Sequence, residues 1–281
     1  MPDRYGAIGY PLGHTVSPAF QQAAFDELGI DATYMAIETP AGDLPRRMSE
    51  VRNGRWAGLN VTIPHKAAVP RFLDGTAETA AAAGAVNTIY WKNGRLLGEN
   101  TDVPAIGAVL ENAEVEKEVR ALVVGAGGAA RAALLSLTAR GDDVVIANRT
   151  ISNAEATLDA VSPDREIEIF DLNSPSIGEV ATEFDLIVNT TSVGMSGGPA
   201  PDESPLPISA LRPGQVVFDV VYRPAVTPLL AQAAEAGCRT IGGLEMLVIQ
   251  GGLSFELWTG KPAPLDTMMR AARTALASDS D

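Results

Sequence analysis

The stretch ALVVGAGGAARAALL, residues 121–135, decides the fold of the chain. Four apolar residues typical of a buried strand come first, a glycine-rich turn follows, and the remaining residues favour a helix. The turn fits the pattern G-x-G-x-x-A, in which Gly125 permits a tight turn, Gly127 lets the backbone approach a pyrophosphate, and Ala130 keeps helix and strand close. A glycine turn alone is a weak signal, but this strand–turn–helix setting predicts a Rossmann-like unit that binds a dinucleotide.

Strands and helices alternate along nearly the whole chain, which predicts an α/β fold. From residue 119 onward the apolar runs are continuous, as in strands buried on both faces of a doubly wound parallel sheet. These predicted strands are RALVVGAG, DVVIANR, EIEIF, FDLIVNTT, QVVFDVVY and CRTIGG. In the first hundred residues, YGAIGY, TYMAIE, GLNVTI, AVNTIYW and RLLGEN are predicted strands, with helices near 17–28, 43–52 and 65–83.

The pattern predicts two α/β domains with a cleft between them that closes around a substrate. Residues 1–102, completed by C-terminal helices in 244–281, are expected to form the substrate-binding and catalytic domain. Residues 103–243 are expected to form the Rossmann-like cofactor domain.

The composition disfavours several classes of protein. Asp and Glu outnumber Lys and Arg by 35 to 21, and the formal net charge of −14 argues against nucleic acid or a membrane surface as partner. No apolar run approaches the roughly 20 residues that span a bilayer, and no signal peptide is recognisable, so we expect a cytoplasmic protein. The single cysteine, Cys238, is interpreted as a structural thiol, and with only two histidines no metal site is expected.

The choice of cofactor depends on the end of the second strand of the Rossmann-like unit. Asn148, Arg149 and Thr150 stand there, where an NAD-binding site usually has an acidic residue for the ribose hydroxyl. An acid would repel a 2′-phosphate, whereas a guanidinium can pair with its oxygens. The sequence therefore favours NADP(H), the alternative being a solvated arginine at a strand end.

A bound nicotinamide needs a substrate carbonyl or alcohol beside it and a group that exchanges the hydroxyl proton. Four clusters of small polar residues lie at element ends in the first hundred residues: HTVSP at 14–18, NVTIPHK at 60–66, AVNT at 85–88 and GENTD at 98–102. Each cluster alone is explained by loop and capping chemistry. Their occurrence together in one domain predicts a small-molecule site.

Nine segments of the chain, taken together, resemble the motifs of the shikimate dehydrogenases in order and spacing. They are GYPLGHTVSP, NVTIPHK, AGAVNT, GENTD, GAGGAAR, NRT, NTTSVGM, DVVYRPAVTPLL and GGLEMLVIQ. The resemblance as a whole covers nearly all of the chain, from Tyr5 to about Trp258. The resemblance implies an NADPH-dependent reductase of 3-dehydroshikimate to shikimate, in aromatic amino-acid biosynthesis.

The same resemblance implies roles for individual residues. Lys66 and Asp102 would be the catalytic pair, in which the ammonium hydrogen-bonds the C3 carbonyl and the carboxylate orients lysine and substrate. The sequence leaves open whether Lys66 is the proton donor or chiefly an electrostatic anchor for the transition state. His65 matches no catalytic position and is interpreted as a surface residue. The substrate-binding residues would be Thr15, Ser17, Thr62, Asn87, Tyr222 and Gln250. The cofactor-binding residues would be Gly125, Ala126, Gly127, Gly128, Ala129, Asn148, Arg149, Thr150, Asn189, Thr190, Met195, Val220, Gly243 and Met246.

Two departures from the family pattern leave alternatives open. Thr15 stands where the family usually has Ser, and Asn153 where many NADP-preferring members carry a second arginine. A quinate/shikimate dehydrogenase that uses NAD or both cofactors is therefore the nearest rival. Glutamyl-tRNA reductase would need a cysteine near the N-terminus, and the chain has only Cys238. A non-catalytic NADP(H)-binding redox sensor would not need the Lys66–Asp102 pair. A homodimer is left open.

Overall fold

Two six-stranded sheets organise the part of the chain that the computed structural model describes, residues 2–13, 15–161 and 166–278. The last residues of the predicted C-terminal segment, 279–281, lie outside it. The strands are β1 (Asp3–Gly9), β2 (Ala32–Glu38), β3 (Gly58–Val61), β4 (Gly75–Thr76), β5 (Thr88–Lys92), β6 (Arg95–Glu99), β7 (Arg120–Val124), β8 (Asp143–Asn148), β9 (Ile169–Asp171), β10 (Leu186–Asn189), β11 (Val216–Asp219) and β12 (Arg239–Ile241).

The helices lie between these strands and at the C-terminal end of the described chain. They are α1 (Ser17–Glu27), α2 (Leu44–Arg52), α3 (Glu78–Ala83), α4 (Asp102–Asn112), α5 (Gly128–Arg140), α6 (Ile151–Val161), α7 (Ile177–Ala181), α8 (Pro228–Glu235), α9 (Leu244–Thr259) and α10 (Leu265–Ser278). The alternation of strands and helices confirms the predicted α/β class. Two compact units divide the chain: unit 1 comprises Met1–Asp102 and Val248–Asp281, and unit 2 comprises Val103–Leu247. The division runs through α9.

Unit 1 contains a mixed sheet of order β2-β1-β3-β5-β6-β4. β1 pairs in parallel with both β2 and β3, whereas β5 runs antiparallel to β3 and β6. In this register Thr88 lies opposite both Asn60 and Glu99. The segment after β3, the start of β5 and the segment after β6 therefore meet at one edge of the sheet. Beneath that edge lies an apolar core built around Ile8, Leu59 and Ile89.

Unit 2 contains a sheet of order β12-β11-β10-β7-β8-β9 in which all neighbouring strands are parallel. Its apolar runs bury Leu122, Val145 and Ile187 completely or nearly so, as continuous hydrophobic strands require. The strand order reverses between β7 and β10. Ligands of doubly wound sheets bind beyond the carboxyl ends of the strands at such a switch point.

The helix predicted near 65–83 is wrong over most of its length. The structure has a short 3₁₀ helix at Val69–Phe72, then β4, and only then α3. β4 adds to the edge of the sheet, since Gly75 pairs with Leu97 of β6, and the Asp74 carboxylate accepts a hydrogen bond from Leu96 N at 2.7 Å. These long-range hydrogen bonds outweigh the local helix propensity of the segment.

Candidate active site

The Lys66–Asp102 pair lies at the edge of the unit 1 sheet where β3, β5 and β6 meet. Lys66 Nζ donates to Asp102 Oδ2 at 2.5 Å, and the two side chains are 19% and 7% exposed. Asp102 begins α4, and its backbone N–H is satisfied by Asn100 Oδ1 at 3.1 Å. The lysine is thus the more accessible partner, and the carboxylate is held from the protein side.

Asn87 fixes the second oxygen of the carboxylate. Its amide oxygen accepts from the backbone N–H of Thr101 at 2.7 Å, and its amide nitrogen lies 2.8 Å from Asp102 Oδ1 and 3.3 Å from Gln250 Oε1. Four predicted site residues, Lys66, Asp102, Asn87 and Gln250, are therefore linked by hydrogen bonds within unit 1.

A buried cluster of hydroxyl groups contacts Asn87, and the sequence did not predict this cluster. Thr88 Oγ1 lies 3.1 Å from Asn87 Oδ1 and 2.7 Å from Ser254 Oγ. Ser254 in turn accepts from Asn60 Nδ2 at 2.8 Å, and Tyr34, whose pKa is raised by burial, donates to Asn60 Oδ1. Ser254 comes from α9, and its place beside β5 cannot be read from a local pattern.

His65 is not the surface residue that the sequence predicted. Its side chain is buried, and Nε2 lies 2.6 Å from the carbonyl oxygen of Thr39. The backbone around it is also fastened, since His65 N donates to Thr62 O at 2.9 Å and Val86 N donates to Lys66 O at 2.8 Å. His65 therefore anchors the turn that carries Lys66.

The two hydroxyl residues expected to hold a substrate carboxylate meet at the start of α1. Thr15 Oγ1 lies 3.1 Å from Ser17 Oγ, and Ser17 is the first residue of the helix. Helix α1 is tied to α9 by Gln21, whose Nε2 donates to Gly251 O at 2.8 Å, directly next to Gln250 in the chain. Thr62 packs against Gly9, where the methyl of an alanine would come 2.4 Å from Thr62 Cγ2.

The glycine turn of unit 2 has the backbone that its sequence predicted. Gly125 has a φ of 109°, and a Cβ there would lie 2.7 Å from Thr190 Oγ1, so both conformation and space require glycine. Gly127 precedes α5, and a Cβ added to it would meet nothing within 4 Å. The backbone at Gly127 is thus open to a ligand, and Gly128 and Ala129 present the first N–H groups of α5.

The second strand of this sheet, β8, ends beside the same turn. Asn148 is its last residue and its Nδ2 donates to Thr150 O at 2.8 Å, which shapes the segment that carries Arg149. Arg149 and Thr150 are exposed, so their side chains are accessible to a 2′-phosphate. Ala126 is held from below by Thr157 Oγ1, which donates to its carbonyl oxygen at 2.8 Å.

The carboxyl ends of β10, β11 and β12 carry the remaining residues expected at the cofactor. Val220 N donates to Asn189 O at 3.0 Å, and Gly243 packs so closely on Val220 that a Cβ would lie 2.2 Å from its carbonyl oxygen. Met195 is exposed and Met246 is buried. Tyr222 lies in the loop after β11, in unit 2, so its predicted contact with the substrate carboxylate stays a prediction.

Asn189, whose contact with the cofactor stays a prediction, is joined to Asp219 on the neighbouring strand. Asn189 is fully buried, and its amide binds Asp219 Oδ1 at 2.9 Å and Thr191 Oγ1 at 2.8 Å. Asp219 was not predicted as a functional residue. Burial raises its pKa from an ordinary 3.8 to about 6, although hydrogen bonds from Thr227, Val221 and Asn189 act in the opposite direction.

Two other kinds of site are absent from the described residues. Among residues 2–13, 15–161 and 166–278, no group of three or more His, Cys, Asp or Glu side chains could hold a metal ion. In the same ranges no helix has the length and apolar character to cross a membrane. Cys238 is half-buried, and its Sγ lies 3.2 Å from the carbonyl oxygen of Arg212.

Three family models match successive parts of the chain. Residues 7–89 match the shikimate dehydrogenase substrate binding domain, residues 109–195 match shikimate / quinate 5-dehydrogenase, and residues 243–273 match the shikimate 5′-dehydrogenase C-terminal domain.

Known proteins are similar to this chain over nearly the full length of both. The shikimate dehydrogenase (NADP(+)) of Thermococcus kodakarensis is 41% identical over 268 residues, which are 95% of this chain and 94% of that protein. The shikimate 5-dehydrogenase of Thermus thermophilus, solved in complex with NADP(H) and shikimate, is 38% identical with a TM-score of 0.88, covering 98% of this chain and 100% of that one. The quinate dehydrogenase of Corynebacterium glutamicum, solved with NAD, is 30% identical with a TM-score of 0.88, covering 97% and 99%.

Proposed function

The chain belongs to the shikimate dehydrogenase family, and from this premise we propose that it reduces 3-dehydroshikimate to shikimate with NADPH, in the shikimate pathway of aromatic amino-acid biosynthesis. The observation that carries the proposal is the Lys66–Asp102 hydrogen bond of 2.5 Å at the edge of the unit 1 sheet. The bond supports the proposal because it joins a lysine to a carboxylate at the edge where three polar segments meet.

In the reduction, Lys66 acts on the C3 carbonyl of the substrate. NADPH, when bound, supplies the hydride to C3. Negative charge then grows on the carbonyl oxygen, and an N–H of the Lys66 ammonium stabilises that charge and provides the proton. Asp102 keeps the ammonium in place, and Asn87 keeps Asp102 in place through its 2.8 Å hydrogen bond.

Substrate recognition is assigned to the polar residues around this pair. Asn87, Gln250 and Thr62 would hydrogen-bond the ring hydroxyls, which discriminates strongly against analogues that lack them. Thr15 and Ser17, at the N-terminal end of α1, would bind the carboxylate, because hydroxyl groups and the helix dipole both favour an anion there. Tyr222 is proposed as a further ligand of the carboxylate.

The residues of unit 2 fit NADP(H). The open backbone at Gly127 suits a pyrophosphate, and the exposed Arg149, with Asn148 and Thr150, suits a 2′-phosphate. The carboxyl ends of β10 to β12 would take the nicotinamide half, beside Thr190, Met195, Val220, Gly243 and Met246. We accordingly propose unit 1 as the substrate-binding unit and unit 2 as the cofactor-binding unit. The cleft and its closure, a homodimer and a cytoplasmic location stay predictions.

A second candidate is the oxidation of quinate, or the use of NAD+. It is favoured by Thr15, whose methyl narrows the expected carboxylate pocket, by the absence of an arginine at Asn153, and by the similarity to a quinate dehydrogenase. A non-catalytic sensor is disfavoured, since binding alone has no use for a lysine held against a carboxylate.

The test measures initial rates with shikimate and with quinate, each against NADP+ and NAD+. The variant Lys66→Ala is compared with Lys92→Ala, which removes an exposed lysine from β5 in the same unit. We expect turnover with shikimate and NADP+, a loss of about 10²- to 10⁴-fold in Lys66→Ala, and no loss in the control. Comparable rates with quinate or NAD+ would establish the second candidate. NADP+ binding without turnover on either substrate would refute both.

A further inference from the structure

The carboxylate of Asp219 joins three segments at the carboxyl edge of the unit 2 sheet. Asp219 is the last residue of β11 and is fully buried. Its Oδ1 accepts from Asn189 Nδ2 at 2.9 Å and from the backbone N–H of Val221 at 3.0 Å, and its Oδ2 accepts from Thr227 Oγ1 at 2.7 Å. One side chain thus satisfies a donor from β10, one from its own loop and one from the start of α8.

Each of these partners shapes the chain beyond it. Asn189 Oδ1 accepts from both the backbone N–H and the hydroxyl of Thr191, at 3.0 and 2.8 Å, which sets the turn after β10. Thr227 caps α8, because its hydroxyl oxygen accepts from Leu230 N at 3.2 Å. The hydroxyl proton of Thr227 therefore points at Asp219, and the carboxylate fixes both ends of the loop 220–226.

The segments that Asp219 joins are those that would meet the nicotinamide half of the cofactor. The turn after β10 contains Thr190 and leads to Met195, and the loop after β11 begins with Val220, on which Gly243 packs. The residues proposed for the adenine half lie elsewhere. Arg149 follows β8, and β7 separates β8 from β10 in the sheet.

The environment of Asp219 works against its charge. Burial raises the pKa of the carboxyl group to about 6, and its three hydrogen-bond donors are neutral. Arg239 and Glu235 stand at the opposite end of the sheet, since Arg239 pairs with Val216 at the start of β11 and Glu235 ends α8. Tyr222 and Arg223 lie in the loop that Asp219 opens. A charge that lowers stability at neutral pH is characteristic of functional positions.

We infer that Asp219 is a positioning residue, which holds the turn after β10 and the loop after β11 in the shape that binds the nicotinamide half of NADP(H). The inference rests on the proposed cofactor site. Asp219 acts through Asn189, Val221 and Thr227 and is not a catalytic residue. An amide in its place can accept at one atom only, so at least one of the three donors loses its acceptor.

The experiment compares two ligands on one set of variants. NADP+ contains both halves of the cofactor, whereas adenosine 2′,5′-bisphosphate contains only the adenine half with its 2′-phosphate. Dissociation constants of both are measured for the wild type and for Asp219→Asn. The matched control is Asp142→Asn, which alters another buried carboxylate of unit 2, bound to Arg140 and to Val119 N at the amino end of β8.

We expect Asp219→Asn to bind NADP+ about tenfold more weakly, the loss that corresponds to one hydrogen bond, and to bind the bisphosphate as the wild type does. The control should bind both ligands normally. If Asp219→Asn does not fold, the test uses Thr227 instead. We then expect Thr227→Val to bind NADP+ more weakly and the bisphosphate normally, and Thr227→Ser, which retains the hydroxyl, to bind NADP+ as the wild type does.

Other results would overturn the inference. Normal NADP+ binding in Asp219→Asn, or in Thr227→Val when that pair is used, would show that the carboxylate positions nothing that NADP+ requires. Equal weakening of both ligands would show a merely structural role in unit 2. A wild type that binds neither ligand would refute the proposed function itself, and the inference with it.

Discussion

The buried carboxylate of Asp219 makes the stability of unit 2 depend on pH in a calculable way. Its pKa is about 6 in the folded protein, against an ordinary value of 3.8. Between these values the folded state binds a proton that the unfolded state does not, so stability from this group rises as the pH falls. The replacement Asp219→Asn removes the titration and leaves the shape of the side chain unchanged.

The magnitude follows from the two pKa values. Lowering the pH from about 7.5 to about 5 should raise the unfolding free energy of the wild type, relative to that of Asp219→Asn, by roughly 1.4 kcal/mol. At pH values well below both pKa values this gain reaches its limit of about 3 kcal/mol. Because only the difference between the two proteins is used, the titration of all other groups cancels as long as they titrate alike in both.

The assay is urea unfolding of both proteins at several pH values between these limits. The three tryptophans, Trp56, Trp91 and Trp258, all belong to unit 1, so their fluorescence follows that unit, and far-UV circular dichroism is needed to follow unit 2 as well. A difference in unfolding free energy that stays constant with pH, or that grows in favour of Asp219→Asn on acidification, would refute the reasoning about the buried charge.

Further predictions concern the glycine turn, the hydroxyl cluster and the arginine. Gly125→Ala should lower the free energy of unfolding by about 1–3 kcal/mol, because a left-handed φ and a clash with Thr190 combine. Gly127→Ala should leave the melting temperature unchanged, because its added methyl meets no neighbour, and should still weaken NADP+ binding in a titration. Ser254→Ala should cost about 1–3 kcal/mol in urea unfolding, since buried partners lose a hydrogen bond, and a neutral effect would contradict that. Arg149→Gln should raise the KM for NADP+ and not that for NAD+; equal changes would exclude a 2′-phosphate contact.

The parts of the fold that the sequence predicts correctly are those with a local signal. The continuous apolar strands of unit 2 and the turn at Gly125 need only neighbouring residues to be recognised, and the structure confirms them. The local residues of segment 65–83 predict a helix. Within it, β4 forms instead by pairing with β6, which lies about twenty residues further along the chain and leaves no local signal. The prediction that His65 is a surface residue is wrong for the same reason, since the carbonyl oxygen that binds its side chain belongs to the distant Thr39.

The site shows the same division between local and distant information. Lys66 and Asp102 can be named from motifs, but their distance of 2.5 Å depends on three strands meeting at one edge. Ser254 and Asp219 carry no motif that announces a function, because the first acts beside β5 from a helix far along the chain and the second acts through hydrogen bonds that only the folded sheet creates. A buried polar side chain at a strand end is the signal that could have identified Asp219.

The orientation of one amide fixes the direction of the hydrogen bonds around the Lys66–Asp102 pair. The backbone N–H of Thr101 can only donate, so the atom of Asn87 that faces it at 2.7 Å must be the oxygen. The nitrogen of Asn87 therefore faces Asp102 and donates to Oδ1, while Lys66 donates to Oδ2. An ionised carboxylate can only accept hydrogen bonds, so the group of this pair that can donate to a carbonyl is the ammonium, which has three N–H bonds and uses one of them on Asp102. On the proposed function, the proton of the new hydroxyl group would therefore come from Lys66, and Asp102 would hold that donor.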